Sequence, residues 1–343
     1  MAIKAPGPSL NFSEIAAEFG NPAANNLGAY RVSQDVGTLQ RLPLDSGIPQ
    51  TWEIKFSNFY SKKLNIVVNC TGMNDLQTRV DARGVYNNPS SMPGTSVTVI
   101  GGFKSKPANT NGSKVYINTN TRIGSAKGAV TNIAFRTGGW DSGTQLFLEI
   151  GPSSRIYGSG GNGGNGGTGD PTAGDNGTSA LGIDYPTEIR NKGYIQAGFG
   201  GGGGGSYRAR NVTINSGKKN SYEEYNVSSG GGGGGGAGYP GGDGGSSGGS
   251  QGSAGTSGSG GTAGGLENQG IGGAGGAEAG AGGNGGQPAA TNATKGGDSN
   301  VGGGAAGGNG YSIIFYNGGG DSLVTNINTG VIYGGYAYNT NPS

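Results

Sequence analysis

Few residues in this sequence are placed to do covalent chemistry. Adjacent carboxylates at Glu223 and Glu224 could in principle serve a glycosidase as acid and base, but neighbouring acids in a polar stretch read as a solvated face. The single cysteine, Cys70, follows Leu64, Ile66, Val67 and Val68 and reads as core, not as a nucleophile. One thiol also allows no intramolecular disulfide. The 343 residues contain no histidine, which removes Ser–His and Cys–His nucleophiles and the common zinc sites. Gly166-Gly167-Thr168-Gly169-Asp170 approaches a calcium-binding repeat, but its aspartate sits one place early and the unit does not recur. No phosphate-binding P-loop pattern occurs. The sequence therefore predicts a protein that is not an enzyme and that carries no metal and no cofactor.

Residues suited to binding are easier to find. The segment 207–228 contains Tyr207, Arg208, Arg210, Lys218, Lys219, Tyr222 and Tyr225. Tyrosine offers contact area at low entropic cost, and arginine pairs with carboxylate or phosphate. These groups suit a surface polysaccharide or a loop of an outer-membrane protein. A second, weaker candidate is the stretch Gln287 to Lys295, with Asn292 and Lys295. The net charge is only +2 and the basic residues form no run, so no field draws the chain to nucleic acid. No apolar stretch approaches the ~18–20 residues of a membrane span, so membrane insertion is not expected. Met1 to Pro6 lacks the apolar stretch of a signal peptide. Synthesis in a cytoplasm without a secretion signal is the expectation.

Something must hold those side chains in place, and glycine is the material on offer. It supplies 82 of 343 residues, several times its ordinary share. It also keeps a register of three. Gly158, Gly161, Gly164 and Gly167 fit it, as do Gly160, Gly163, Gly166 and Gly169. The period returns at Gly249, Gly252, Gly255, Gly258, Gly261 and Gly264, and again at Gly270, Gly273, Gly276, Gly282 and Gly285. Disordered linker has no reason to keep a register. Period three belongs to extended three-fold helices, and 14 prolines are too few for collagen. The pattern predicts a bundle of polyglycine II helices, paired through backbone N–H and C=O groups.

Glycine runs alternate with other segments, which assigns ends to the bundle. Base segments would be residues 181–196, Tyr239-Pro240, Leu266 to Ile271, and Tyr311 onward. Far-end segments would be residues 170–175, 207–228, roughly 250–256, and 287–295. Apolar residues collect in the first set, tyrosines and basic residues in the second.

Around the bundle the fold class is mainly β. Residues 1–66 form a small module, with Phe12, Ile15 and Phe19 on one face of a short helix, Asn11 or Ser13 capping it and Gly20 ending it. Residues 67–150 form a β domain of short strands, a sandwich or incomplete barrel. Residues 151–310 hold the bundle and its loops. Residues 311–343 supply C-terminal strands at its base.

The stretches Leu146 to Gly151, Ile156 to Gly164, and Gly193 to Gly198 followed by six glycines resemble the small adhesins that cap the long tail fibres of T-even-like phages, over about residues 140–335. Their hallmark is a polyglycine II sandwich with variable loops at its tip. Phe12 to Gly20, Leu42 to Pro49 and Ile54 to Tyr60 look like the start of many phage tail and fibre proteins. The resemblance implies a receptor-binding virion protein, joined through residues 1–66 to other phage tail or fibre proteins and facing a bacterial surface receptor. Two rivals remain open at this point. One is a purely structural virion fibre or decoration protein. The other is an ice-binding protein, which would need a flatter and more regular face.

Overall fold

The structure is a computed structural model. It describes residues 3–21, 26–31, 33–36, 39–43, 48–49, 51–70, 80–99, 103–167, 170–205, 208–216, 220–228, 231–247, 250–265, 272–277, 298–300, 304–316, 322–326 and 330–338.

Three parallel sheets carry the apolar core. The first sets Asn65–Asn69, Lys114–Thr119, Gln145–Ile150, Thr187–Asn191 and Leu323–Asn326 side by side. The second holds Arg122–Ile123, Arg155–Tyr157, Tyr194–Gln196 and Val331–Tyr333. The third holds Val80–Asp81, Ile133–Arg136, Ser179–Ile183, Tyr311–Phe315 and Gly335–Tyr338. The chain visits the sheets in turn and then returns to the first, one strand further on. Stacked coils of this kind make a three-faced solenoid. One antiparallel strand, Ser96–Val99, adds to Asn65–Asn69 beyond the first coil.

This is neither the sandwich nor the incomplete barrel expected for the front β region. Short apolar runs between turns are common to all three architectures, and nothing in such runs says that successive strands belong to different sheets. The strands of 179–196 and 311–338 continue the sheets begun in 65–150, so β residues on both sides of the glycine-rich stretch form one element.

Each face contributes a ladder of apolar side chains to one core. Val68, Ile117, Leu148 and Ile189 are in register on the first sheet. Ile123, Ile156 and Ile195 are in register on the second, and Phe135, Leu181 and Ile313 on the third. All are buried in a single cluster. The N-terminal module shares that cluster through Ile15, Phe19, Tyr30 and Phe59. Its helix, Phe12–Phe19, begins at Asn11 in a capping box with Glu14 and ends at Gly20, where φ is 86°. Cys70 lies in the same core, and burial pushes its thiol up to about 12.

The glycine-rich segments leave the solenoid at one corner. Residues 158–178 depart after Arg155–Tyr157 and return at Ser179–Ile183. Residues 197–310 depart after Tyr194–Gln196 and return at Tyr311–Phe315. Outside the solenoid the described residues form runs lying side by side. Backbone bonds between runs recur at every third residue. Gly160, Gly163 and Gly166 donate to the carbonyls of Pro240, Asp243 and Ser246 at 2.9, 2.8 and 2.9 Å. Gly161 and Gly164 donate to Phe199 and Gly202 at 2.9 and 2.8 Å. Thr172, Asp175 and Thr178 donate to Asn165, Asn162 and Ser159 on another side.

Glycine content follows how completely a run is surrounded. The run 231–238, glycine except for Ala237, is hydrogen-bonded to six others: 158–166, 197–205, 241–247, 250–256, 259–265 and 272–277. The run 158–166, with two glycines per triplet, bonds to four: 172–178, 196–205, 231–238 and 240–246. The run 250–256, with one glycine per triplet, bonds to three: 231–238, 241–247 and 259–265. Each side that meets another backbone excludes a Cβ, and each side that meets solvent admits one.

Two end assignments differ from the sequence reading, which put 250–256 at the far end and Leu266 to Ile271 at the base. Gly232 donates to Ser250 near the far end, but Gly238 donates to Thr256 at the base. There the chain reverses, with Thr256 N bonded to Ser259 O and the Gln196 amide bonded to Ser257 O at 2.9 Å. Gly264 is back beside Gly232. Leu266 to Ile271, assigned to the base, lies outside the described residues, but its flanks Gly265 and Gly272 are at the far end. Glycine keeps its register straight through Gly252, Gly255, Gly258, Gly261 and Gly264, so this reversal leaves no mark in the periodicity.

A Cβ at Gly164 would overlap the Thr172 carbonyl oxygen, whereas one at Gly258 would meet open space. Gly164→Val should therefore destabilise the protein by about 1–3 kcal/mol or more, and Gly258→Ala by less than about 0.5 kcal/mol. Urea denaturation of the two variants checks this; equal effects would contradict close packing of the runs.

Candidate receptor-binding tip

The run 197–205 leads away from the solenoid and 231–238 leads back, with Gly205 N bonded to Gly231 O at 2.8 Å. Beyond that closure lies the segment that the sequence reading singled out. It is a β-hairpin, not the loop expected. Arg208–Ser216 pairs antiparallel with Asn220–Ser228 along their whole length. Asp298–Asn300 adds to the other side of Arg208–Ser216, opposite Arg208, Ala209 and Arg210.

The signal for a hairpin was present. Val212, Thr213 and Ile214 are β-branched, Tyr222, Tyr225 and Val227 favour strands, and Ser216-Gly217 offers turn chemistry between them. Richness in tyrosine and basic residues is equally the composition of a binding loop.

In the hairpin register Arg208 is opposite Ser228, Arg210 opposite Asn226, Ile214 opposite Tyr222 and Asn211 opposite Tyr225. Arg208, Arg210 and Tyr222 thus occupy positions of one parity in the ladder, and Tyr225 the other. Tyr207, Lys218, Lys219, Asn292 and Lys295 lie outside the described residues. The far end also presents Asp170, which is exposed. Asn165 stiffens that end, its side-chain oxygen accepting from the Ser246 amide at 2.9 Å.

The described ion pairs on the solenoid are structural. Arg190 bonds Glu149 at 2.8 Å and Glu188 at 2.6 Å. Burial raises the Glu149 carboxyl above its ordinary value, and Arg190 opposes that shift. Among the described residues no three Cys, Asp or Glu side chains come together as metal ligands, and no helix is long and apolar enough to cross a membrane.

A family model described as phage tail fibre adhesin Gp38 matches residues 101–337. The chain belongs to this family. No curated protein and no solved structure matches it. The match takes in the solenoid from its second coil onward, the glycine runs and the hairpin. This Gp38-family adhesin is a bacteriophage tail-fibre protein, and its work is host attachment.

Because the Gly205–Gly231 bond closes the runs below the hairpin, the adhesin should fold without it. Replacing residues 208–228 by an Asn-Gly turn should shift the melting temperature by less than about 4 °C. Loss of the cooperative transition would mean that the hairpin supports the runs.

Proposed function

We propose that the glycine runs are polyglycine II helices forming a rigid bundle, and that its far end recognises a receptor on the bacterial surface. The receptor would be a polysaccharide or an outer-membrane protein loop. Tyr207, Arg208, Arg210, Lys218, Lys219, Tyr222 and Tyr225 carry the recognition, and Asn292 and Lys295 extend it. The observation that carries this reading is the placing of the hairpin at the end of the runs remote from the solenoid. The runs themselves have almost no side chains to offer a partner, whereas tyrosine and arginine are the residues that anchor interfaces. Pairing of Asp298–Asn300 with Arg208–Arg210 also supports one surface shared by the two candidate segments, since Lys295 is three residues from Asp298.

In this reading residues 1–66 join the adhesin to another tail or fibre protein. Trp52 is 83% exposed and Phe56 41% exposed, the largest open apolar groups among the described residues of that module. Ile54 between them packs on the core, which holds the segment in place. Exposed aromatic pairs of this kind mark interaction surfaces.

Alanine at Tyr207, Arg208, Arg210, Tyr222 and Tyr225 together should abolish adsorption to host cells while the adhesin still appears in virions. Normal adsorption by that virion would remove the hairpin from the receptor site and favour a purely structural role. Alanine at Trp52 and Phe56 should do the opposite: the purified protein keeps its melting temperature, but purified virions lack it. Wild-type incorporation of this variant would place attachment elsewhere.

A further inference from the structure

A groove of about 600 Å³ opens on the second sheet, where the solenoid meets the base of the glycine runs. It lies at the end of the runs opposite the hairpin. Asn120 and Arg122 line it from the second coil, Ser153, Arg155 and Tyr157 from the third, and Ser257 from the turn that the glycine register concealed. The volume is within the range of small-molecule sites.

Arg155 sets its character. The guanidinium carbon sits 3.9 Å from the centre of the Tyr194 ring. Its Nη1 donates to the carbonyls of Pro152 and Ser154 at 3.0 and 2.9 Å. The ring and the two carbonyls fix the group, yet its Nε and Nη2 hydrogens have no partner, and it makes no ion pair, among the described residues. Other donors converge there. Asn120 uses its side-chain oxygen to accept from the Ser153 amide at 3.0 Å, which leaves its NH₂ unpaired. No described residue bonds the hydroxyls of Ser153 or Ser257. Arg122 is the register neighbour of Arg155 and stands 4.9 Å over the Tyr239 ring, bringing a second positive charge to the wall. A half-buried guanidinium held in place with its fork unfilled, beside hydroxyl and amide donors, matches an anionic oxygen group on a hydroxyl-rich body.

We propose that this groove binds an acidic sugar, with its carboxylate or phosphate on Arg155 and its hydroxyls on Asn120, Ser153 and Ser257. Tyr157 supplies the aromatic surface beside the sugar ring. The site stands apart from the tip and does not depend on the tip's role. Bound there, an acidic surface glycan would give the adhesin a second foothold on the solenoid side.

The test is calorimetric titration of the full chain with glucuronate, glucose 6-phosphate, inorganic phosphate and glucose. At least one acidic sugar should bind, and inorganic phosphate and glucose should bind at least about tenfold more weakly. Which acidic sugar binds tells a carboxylate site from a phosphate site. Arg155→Gln should lower the affinity by about tenfold or more, and Ser257→Ala by about threefold. Ser257 is on a surface turn, so that variant stays informative if Arg155→Gln fails to fold. Absence of binding by both acidic sugars, equal binding of inorganic phosphate, or unchanged affinity in Ser257→Ala and a folded Arg155→Gln would each overturn the proposal.

Discussion

Backbone N–H to C=O bonding between neighbouring glycine runs is the interaction on which the rest of the molecule depends. It operates only where no Cβ intervenes. At Gly234, Gly202 and Gly161 an added Cβ would overlap the carbonyl of the next run. Glycine loses more conformational freedom on folding than any other residue. The runs have little apolar surface to offset that loss, so saturation of the backbone must do so. A single run would have no reason to order. A run with neighbours on every side, such as 231–238, has one for nearly every peptide group.

Such an assembly needs a seed, and the solenoid supplies it. Arg155–Tyr157 and Tyr194–Gln196 are parallel neighbours in the second sheet, with Tyr157 in register with Gln196. The next bond is Gly158 N to Gln196 O at 2.8 Å, followed by Gly161 N to Phe199 O and Gly164 N to Gly202 O. The sheet's ladder thus passes into the first two outgoing runs without a break. At the return, Thr178 and Gly310 flank Gly198, which donates to one and accepts from the other. Both then enter the third sheet as Ser179–Ile183 and Tyr311–Phe315, again parallel neighbours. Strand spacing in the solenoid, about 4.8 Å, therefore sets the spacing at which the runs set out and come home. The apolar ladders at Ile123, Ile156 and Ile195 fix that spacing from within.

Where local chemistry decides the outcome, the sequence was legible. Asn11 and Gly20 marked a helix whose ends match their capping roles. The three-residue glycine register marked runs that bond at every third residue, and the step from one glycine per triplet to three tracks how many neighbours a run has. What stayed hidden depends on contacts distant in sequence. Leu64 to Val68 and Leu146 to Ile150 are β-rich on any reading, but their membership of one parallel sheet follows from coil stacking, which leaves no local trace. The turn at Thr256 to Ser259 stayed hidden because it spans a whole number of triplets. The hairpin was missed for another reason: its residues satisfy a strand pattern and a binding-loop composition at once.

The same physics separates the parts of the adhesin that are free to vary from those that are not. Inside the bundle a single methyl meets a backbone oxygen, so the runs tolerate little change in their buried places. At the ends the constraint vanishes, because a turn needs only to return the chain to the next run in register. Gly205 and Gly231 meet that requirement whatever lies between them. A segment as long as 206–230 and one as short as 168–171 can therefore bridge successive runs of the same array. The far-end surface can then change its chemistry by exchange of segments between fixed endpoints, while the glycine lattice below it and the isoleucine ladder below that remain as they are.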